Sequence, residues 1–528
     1  MKSPNTAIAF FGKTDAGWPV VILKKIGLLI QFSFLKSWLT NFFKVCIFQL
    51  IIHMAGYRNF LPNTKIRRQV IEGNQMAGGK VIVLDGSRPG DEDLASLLAI
   101  LIDELRHYGI EVQTYTLREV KLDHCIGCFG CWIETPGICV QADAGREIVQ
   151  EIIRSEMTVL FTPVTFGGYS SELKKVVDRW IPLLLPDFGN YYGEVYHKPR
   201  YSRFPRLVAV GVQRDPNRDE ARIFKTVVGR NAINIHAPSY AAEVITSTDD
   251  FDSLRGRFKA FLSRIDPLPL GETLTSVMPV PDTSVASTKP GRPGRALLIV
   301  GSPKTKSPST SGVLGGYILE RFRELGWETE SLTLRAGLLQ EKGKQDLVSS
   351  VDRAGLLLLA LPLYVDALPF LVTRALEVIA VHRGGTHEGL PLRLCALMNN
   401  GFPEAHHNTL ALAICHRFAV QSGIRWVGGL AMGAGEALSS GQSLTSKNRS
   451  GPPVKHVIKA LNMTAAYLAE GRPLPSEAAT MIARSPIPLL PFAAWRWIFA
   501  KVGTRRFQRQ AAANGISKEN ILAKPYAE

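Results

Sequence analysis

Residues 295–311, RALLIVGSPKTKSPSTS, decide the fold class because they join a short apolar segment to a turn rich in Ser and Thr. Ala296–Val300 predicts a buried strand, and the apolar spacing of Val313–Leu325 predicts a helix that ends at Gly326. Glu328–Leu334 alternates as a second strand. A strand that passes through a polar turn into a helix, and then into another strand, is the repeating unit of an open parallel sheet.

Two further strands follow, and the same order of elements also occurs earlier in the chain. Leu356–Leu361 is apolar and leads into the loop Pro362–Pro369 and a helix, and Leu394–Met398 is another apolar run. The earlier predicted elements are strand Val81–Leu84, turn Gly86–Gly90, helix Leu94–Tyr108, strand Glu111–Leu117, helix Ile148–Ile153, strand Thr158–Phe161, loop Pro163–Ser170, helix Leu173–Trp180 and strand Leu207–Val212. We interpret the chain as a tandem duplication of one doubly wound α/β unit with parallel sheets.

The composition is that of a globular protein with more than one domain. The chain has 528 residues, of which 46% are hydrophobic, so it is too long for one ordinary core and too apolar for disorder. Seven cysteines are too few for a disulfide-stapled secreted scaffold, and no secretory cleavage pattern is found near the start. We therefore expect a cytoplasmic protein, with membrane association through its basic ends as an open alternative.

The net charge of +16 is concentrated in residues 1–75 and 484–528, and the centre of the chain is nearly neutral. A nucleic-acid-binding protein more often carries its charge on a folded face, so we expect no nucleic-acid partner. Basic ends mixed with Trp, Phe and Leu are typical of contacts with a membrane surface or a protein partner. Gly27–Tyr57 is very apolar, but its longest uncharged run, Val45–Tyr57, is too short to span a bilayer alone.

These patterns divide the chain into five regions. For the apolar, basic N-terminal extension, three interpretations stay open: an interfacial anchor, a packed helical extension, or non-native translation upstream of Met76. Pro267–Arg295 has the Pro, Ser, Thr and Gly content of a linker. The predicted regions are the extension 1–75, the domain 76–266 (the first half), the linker 267–294, the domain 295–475 (the second half) and the tail 476–528.

The C-terminal tail is basic and aromatic, and it predicts a helix. Phe492–Lys501 is followed by three arginines, which is typical of a helix at a membrane interface. The alternative is a helix that packs on its own domain or on a second copy of the chain. Trp495 and Trp497 are two residues apart and cannot share one helical face, which favours packing.

The turn 301–311 has the features of a phosphate site, because hydroxyls and backbone N–H groups at a helix N-terminus bind phosphate. Together with the Pro-Leu-Tyr loop that begins at Pro362, it resembles the flavodoxin-like NAD(P)H-dependent FMN reductase family. The resemblance implies that the first loop holds the FMN phosphate, that the second borders the isoalloxazine ring and that Asn399–Phe402 forms a third flavin loop. The implied FMN-binding residues are Ser302, Lys304, Ser309, Thr310, Ser311, Pro362, Leu363, Tyr364, Val365, Asn400 and Gly401.

The first half resembles the iron–sulfur-flavoprotein-like branch of that family. Its signature is CIGCFGCWIETPGIC, residues 125–139, followed by Asp143 and by the helical segment LKKVVDR, residues 173–179. The resemblance implies FMN contacts in this half from Ser87, Pro163, Val164, Thr165, Phe166 and Gly167.

This half departs from the family pattern at two places. Asp91, Glu92 and Asp93 stand where the family usually has Asn, Ser or Thr, and carboxylates repel a phosphate dianion. Thr165 takes the place of the usual Tyr. The second half keeps the flavin loops but lacks the thiol cluster, so one composite site, or one half that serves only as a scaffold, are both open interpretations.

Four thiols lie on one compact loop, at Cys125, Cys128, Cys131 and Cys139. Their number suits the outer ligands of a [4Fe–4S] cluster, a tetrahedral zinc site or a redox dithiol, and a tight Cys-Gly turn without a metal is the fourth alternative. The resemblance favours the iron–sulfur cluster. Cys395 and Cys415 stand alone and are predicted to be core residues.

The resemblance implies a flavin-dependent oxidoreductase with FMN as cofactor and NAD(P)H as co-substrate. Electrons would leave to a quinone, a nitro compound, free flavin or the cysteine cluster, and no acid–base side chain is required. The resemblance also implies a homodimer. The opposing interpretation is a non-catalytic protein that docks on a membrane surface or a partner, built on degenerate flavodoxin-like folds. Structural roles are expected for His406 and His407 in an exposed polar loop, and for Lys174, Lys175, Asp178 and Arg179 in an ion-paired helix face.

Overall fold

The computed structural model of the chain describes residues 9–13, 19–23, 28–31, 79–107, 109–282, 294–304, 308–384, 392–435, 442–446, 454–485 and 491–527. Residues 1–75 and residues 76–528 form two compact units. In the first unit an antiparallel sheet contains, in this order, β1 (Ala9–Lys13), β2 (Pro19–Leu23) and β3 (Leu28–Gln31). The apolar run Val45–Tyr57 lies outside the described residues.

The second unit contains two parallel five-stranded sheets with the same topology. The strands are β4 (Lys80–Asp85), β5 (Glu111–Thr116), β6 (Met157–Pro163), β7 (Leu184–Tyr191), β8 (Glu194–Pro199), β9 (Arg206–Gln213), β10 (Tyr240–Thr246), β11 (Arg295–Val300), β12 (Glu328–Thr333), β13 (Leu356–Pro362), β14 (Arg393–Asn399) and β15 (Arg425–Met432). The sheet orders are β10-β9-β6-β4-β5 and β12-β11-β13-β14-β15, and β7 pairs with β8 in a separate hairpin. Both orders are those of a flavodoxin-like doubly wound sheet, so the predicted fold class is confirmed.

Helices connect the parallel strands and cover both faces of the sheets, as parallel sheets require. The helices are α1 (Ala95–His107), α2 (Gly130–Ile133), α3 (Ala144–Arg154), α4 (Ser171–Val177), α5 (Arg218–Asn234), α6 (Phe251–Ser263), α7 (Glu272–Thr275), α8 (Thr310–Glu324), α9 (Glu341–Asp352), α10 (Phe370–Arg383), α11 (Thr409–Gln421), α12 (Lys455–Ala469), α13 (Ser476–Ile482), α14 (Phe492–Ala513) and α15 (Lys518–Ile521).

All of the strands predicted from apolar runs are present, but the sequence reading missed three features. These are the hairpin β7–β8 and the fifth strand of each sheet, β10 and β15. The segment predicted as a linker also begins with ordered structure. It contains α7, and Leu274 and Val277 are buried against the core.

The two sheets share one hydrophobic core. A single cluster of buried side chains includes Leu160 of β6 and Leu359 of β13, both fully buried. Helix α4 packs against α10, and α5 packs against α11, so the contact between the halves is made by helices. Because burial of apolar surface is the dominant favourable term in folding, this shared core explains why residues 76–528 form one unit.

Each half also caps a helix of the other half with a buried carboxylate. The backbone N–H and hydroxyl of Ser171, at the start of α4, donate to the two carboxylate oxygens of Glu377 at 3.0 and 2.6 Å. The backbone N–H of Phe370, at the start of α10, donates to Asp178 Oδ2 at 2.8 Å. Asp178 and Glu377 each lie seven residues after the N–H group that the other one caps, so the contact is reciprocal. A carboxylate at a helix N-terminus satisfies N–H groups that have no partner within the helix and is stabilised by the helix dipole.

The charged face predicted around residues 174–179 is ion-paired but is buried rather than solvated. Lys174 Nζ lies 2.7 Å from Asp178 and donates to the carbonyl oxygen of Tyr364 at 2.9 Å. Burial raises the pKa of Asp178, and Lys174 and the Phe370 N–H offset part of that rise. Arg179 pairs with Asp143 in the same region. Lys174 and Asp178 therefore join the two halves, whereas Arg179 is paired within the first half.

Replacing Glu377 tests the reciprocal capping. Glu377→Ala should lower the free energy of unfolding by about 2–4 kcal/mol, because it leaves buried polar groups of Ser171 without their partner. Denaturant titration of the full chain measures the change. The control is Glu341→Ala, whose carboxylate is 76% exposed and pairs with Lys344, and it should cost less than about 0.5 kcal/mol. Equal, small losses for both variants would contradict the assigned role of Glu377.

Candidate functional site

The loops predicted to bind FMN in the second half meet at the carboxyl edge of the second sheet. Ser309 is the N-cap of α8, and its hydroxyl accepts from the Gly312 N–H at 3.0 Å. The amide nitrogen of Asn399, at the end of β14, donates to Ser311 Oγ at 2.8 Å and to the carbonyl oxygen of Leu361 at 3.0 Å. We call residues 301–311 the phosphate turn and residues 362–365 the ring loop. The Asn399 side chain, from the third predicted flavin loop, thus connects the phosphate turn with the strand that precedes the ring loop.

The individual residues differ in how open they are. Ser302, Ser311 and Asn400 are buried, whereas Lys304, Ser309, Thr310 and the ring-loop residues 362–365 are half-buried and Gly401 is exposed. Asn400 is structural, because its side chain donates to the Glu404 carbonyl and accepts from the Phe402 N–H. The accessible groups of the predicted set are therefore the start of α8 and the ring loop.

The sequence reading missed Arg335, which shapes the phosphate turn. Its guanidinium donates to the carbonyl oxygens of Ser302 and Lys304 at 2.8 and 2.9 Å. A cavity of about 750 Å³ lies against this turn, and its lining includes Lys304, Arg335 and Arg323 but only one carboxylate, Glu320. A turn held by a cation next to hydroxyls and a helix N-terminus suits an anionic ligand.

The corresponding turn in the first half is satisfied by its own carboxylates. The backbone N–H of Ser87 donates to Asp85, that of Arg88 to Asp91 and that of Gly90 to Glu92, at 2.9, 3.0 and 3.0 Å. Asp91 is only 5% exposed. Burial would raise the pKa of Asp91, but hydrogen bonds and charge from Arg88, together with Arg214, outweigh it and lower the pKa. An ionised carboxylate thus stands where a phosphate would need the same N–H groups.

The ring loop of the first half is buried between the halves. Thr165 and Phe166 are 5% and 4% exposed, and Pro163 and Gly167 are buried, while Val164 is half-buried. The ring of Phe166 packs edge-on against Phe418 of α11 at a centroid distance of 5.4 Å. The loop residues predicted to contact FMN in the first half therefore serve in packing, whereas the equivalent loop of the second half is half-open.

The four predicted thiol ligands lie together on one loop around α2. Cys131 is buried, Cys125 and Cys139 are half-buried and Cys128 is exposed. The thiols of Cys125 and Cys131 each interact electrostatically with the other three. Gly127 and Phe129 adopt left-handed backbone conformations, with φ of 66° and 58°, which lets the chain wrap tightly.

The donor set fits an iron–sulfur cluster better than the other chemistries. Burial raises the pKa of Cys125 to about 12 and that of Cys131 well above its ordinary value, which disfavours a reactive thiolate pair. Among the described residues, the sulfur atoms do not include any three within 4.8 Å of one another, whereas a tetrahedral zinc site would hold them about 3.8 Å apart. A four-iron cluster holds its cysteine sulfurs farther apart. The positive charges of Arg179 and Arg200 act on this loop and would favour bound thiolates.

The thiol loop of the first half borders the flavin loops of the second half. A Cβ atom at Gly127 would collide with Tyr364 Oη and would lie 3.8 Å from the ring of Pro303. Lys304 Nζ lies 5.6 Å from the centre of the Phe129 ring. Residues predicted separately as a metal loop and as a flavin site therefore lie against one another.

The C-terminal tail covers the thiol loop from the other side. Phe507 of α14 packs edge-on against Trp132 and Phe129 at centroid distances of 5.1 and 5.5 Å. Trp495 is 4% exposed and Trp497 is 40% exposed, in agreement with the argument that they occupy different faces. The helix packs on its own chain. Among the described residues, no helix is both long enough and apolar enough to cross a membrane.

The prediction of an exposed polar loop holds for His406 and is wrong for His407. His407 is 2% exposed, while the His406 side chain is 42% exposed and lies 2.8 Å from Glu194. Glu194, His406 and His407 bring three ligand atoms within 4.8 Å, as in a metal site. However, one guanidinium nitrogen of Arg230 lies 2.6 Å from Glu194 and 3.2 Å from His407 Nδ1. A cation already fills the position that a metal would take, so we assign the group to structure.

The match to a known protein family lies in the first half. Residues 80–200 match the model of the NADPH-dependent FMN reductase family. An iron–sulfur flavoprotein of Methanocaldococcus jannaschii is 34% identical over 104 residues, which cover 20% of this chain and 53% of that protein. One from Archaeoglobus fulgidus is 24% identical over 178 residues, which cover 33% of this chain and 85% of that protein. The chain spans about half the length of the first curated relatives that it matches.

Solved structures with partial similarity include an NAD(P)H:quinone oxidoreductase from Methanothermobacter marburgensis, which is 13% identical. The match covers 35% of this chain and 94% of that chain, with a TM-score of 0.27. An FMN-dependent NADH-azoreductase from Bacillus anthracis, in complex with FMN, has 9% identity, 35% of this chain, 96% of that chain and a TM-score of 0.26. The family match and the curated relatives confirm the resemblance to the NADPH-dependent FMN reductase family that was predicted from the sequence.

Proposed function

We propose that the chain is a flavin-dependent oxidoreductase with one FMN, bound in the second half beside the cysteine loop of the first half. The observation that carries this proposal is the contact of Gly127 in the thiol loop with Tyr364 in the ring loop. A redox-active loop that lies against a flavin loop from the other half is explained by electron exchange between the two groups. The domains are then 76–266 and 295–475, joined by 267–294 and covered by the tail.

The choice of the second half rests on the two phosphate turns. In the second half, Ser309 caps α8 and the first-turn N–H groups have no intrahelical carbonyl partner. In the first half, three N–H groups of the turn already donate to carboxylates. A phosphate dianion is attracted to the first arrangement and repelled by the second. Ser309, Thr310 and Lys304 would hold the phosphate, with Arg335 keeping the turn in shape.

The ring would lie against residues 362–365, which are half-exposed. Bound FMN supplies hydride acceptance from a nicotinamide and onward electron transfer, while the protein supplies position and electrostatics. The tail helix and the aromatic rings of Phe129, Trp132 and Phe507 cover one side of the thiol loop. Cys125, Cys128, Cys131 and Cys139 would hold a [4Fe–4S] cluster. NAD(P)H is the proposed electron donor, and a small molecule such as a quinone or nitro compound is the proposed electron acceptor.

The docking alternative is less well supported. Three large apolar side chains of α14, Trp495, Phe499 and Phe507, are buried against the chain itself, whereas Phe492, Trp497 and Val502 are exposed. The packed rings reduce the apolar surface that drives interfacial binding. We therefore propose the enzyme rather than the docking protein.

The flavin assignment predicts one FMN per chain and a specific dependence on the second turn. Ser309→Asp together with Thr310→Asp should weaken FMN binding by at least about tenfold, because two carboxylates would face the phosphate. Ser87→Asp in the first turn is the matched control and should leave the affinity unchanged. Flavin fluorescence quenching measures the dissociation constant, and the absorbance spectrum of anaerobically purified protein gives the stoichiometry. Unchanged affinity in the double variant would rule out the second-half turn.

The metal assignment predicts about four iron atoms per chain in protein purified without oxygen. Cys128→Ser should remove most of the iron and the broad visible absorbance of the cluster, while one FMN remains bound. The control is Cys395→Ala, since Cys395 is fully buried in the second sheet and should leave the iron content unchanged. Zinc instead of iron, or equal iron in both variants, would contradict the cluster.

A further inference from the structure

The ring loop of the second half contains a turn in an unfavourable backbone conformation. Tyr364 and Ala367 exchange backbone hydrogen bonds at 3.0 and 3.1 Å, and between them Val365 and Asp366 have φ of 45° and 57°. For residues other than glycine, such left-handed positions cost about 1–2 kcal/mol each. The same turn in the first half places Gly167, with φ of 82°, where the second half has Asp366. The second half therefore keeps a carboxylate at a position that suits glycine.

The first half holds that carboxylate in place. Asp366 Oδ2 accepts from the amide nitrogens of Asn231 and Asn234 at 3.2 and 2.9 Å. The Asn231 amide nitrogen also donates to the carbonyl oxygen of Val365 at 3.0 Å. Both asparagines belong to α5, and all three side chains are at least nine-tenths buried, with exposures of 2% for Asp366, 0% for Asn231 and 7% for Asn234.

The acceptors of the ring loop fix the orientation of the Asn231 amide, because its nitrogen faces the Asp366 carboxylate and the Val365 carbonyl oxygen. Its oxygen Oδ1 then accepts from the hydroxyl of Tyr169 at 2.9 Å. Tyr169 is itself buried, and it lies in the ring loop of the first half. The packed loop of one half thus contacts the same amide that holds the open loop of the other.

We propose that Asp366, Asn231 and Asn234 are positioning residues for the flavin ring, through which the first half sets the affinity and the reduction potential of FMN in the second half. The inference rests on the proposed function. Hydrogen bonds to a charged carboxylate are stronger than those between neutral groups, and buried ones leave a costly unpaired group when broken. We call the hydrogen bonds from Asn231 and Asn234 to Asp366 and Val365 the clamp. The clamp would hold the turn, and the Val365 carbonyl with it, in one conformation.

Alternative explanations predict different results on substitution. If the three residues served only to join the halves, removing the clamp would lower the stability of the chain without a specific effect on flavin. If they position the turn, a glycine at 366 keeps the left-handed backbone, as Gly167 does, but frees the turn to move. Flavin affinity and potential then change in addition to the stability lost by leaving the buried amides of Asn231 and Asn234 unpaired.

The experiment compares four variants of the full chain with wild type: Asp366→Gly, Asn234→Ala, the exchange pair Asp366→Asn with Asn234→Asp, and Asn190→Ala as a control on an exposed residue. FMN dissociation constants come from fluorescence quenching, midpoint potentials from anaerobic spectroelectrochemistry and stability from thermal melting. We expect about tenfold weaker FMN binding and a shifted potential for Asp366→Gly and Asn234→Ala. The exchange pair restores a hydrogen bond between the two positions and should recover most of the affinity.

The inference would be overturned if both single variants kept the wild-type affinity and potential, or if they lost only thermal stability. In that case FMN binding by wild type leaves the proposed function standing. If wild type binds no FMN, or if FMN binding is insensitive to Ser309→Asp with Thr310→Asp, the proposed function and the inference both fail. The FMN titrations of wild type and of the Ser309→Asp, Thr310→Asp variant therefore distinguish the two failures.

Discussion

Two buried carboxylates at equivalent positions, Asp178 and Glu377, hold the molecule in its arrangement. Each accepts hydrogen bonds from the first turn of a helix in the other half. Because a helix N-terminus and a buried carboxylate both cost free energy when left unpaired, the two pairs are satisfied together only in one relative placement of the halves. The shared apolar core supplies most of the association energy, but it is non-directional. The capping pairs supply the register that brings the thiol loop of one half to the ring loop of the other.

Within this common frame the two halves have diverged in opposite directions. The first half keeps four clustered thiols and has filled its phosphate turn with Asp85, Asp91 and Glu92. The second half keeps the hydroxyl-lined turn, and its isolated cysteines, Cys395 and Cys415, are fully buried. The ring loops differ in the same sense, since one is packed against Phe418 and the other is half-open. The first half therefore has the clustered thiols, and the second half has the open turn and the open ring loop.

The sequence predicted the strands that are continuous apolar runs, because a strand buried on both faces requires such a run. It did not predict β15, RWVGGLAM, where two adjacent glycines interrupt the pattern, or β7, LLPDFGNY, which contains Pro and Gly. The cysteine loop and the hydroxyl turn were found because their spacing carries chemistry. Their contact was not found, since Gly127 and Tyr364 lie far apart in sequence and nothing local marks the pair. The burial of His407 was missed for the same reason: its partners Arg230 and Glu404 come from both halves.

Covalent linkage of the halves explains how such an asymmetric site can exist. In a homodimer of identical chains, a substitution that closes one phosphate turn closes both, and a change such as Gly167 to the aspartate found at 366 appears twice. When both copies lie on one chain, each always meets the other at high effective concentration, so neither must keep the complete set of groups. The proposed clamp at Asp366 follows from this linkage of the two halves. Asparagine is needed at 231 and 234 only in the half that faces the open ring loop.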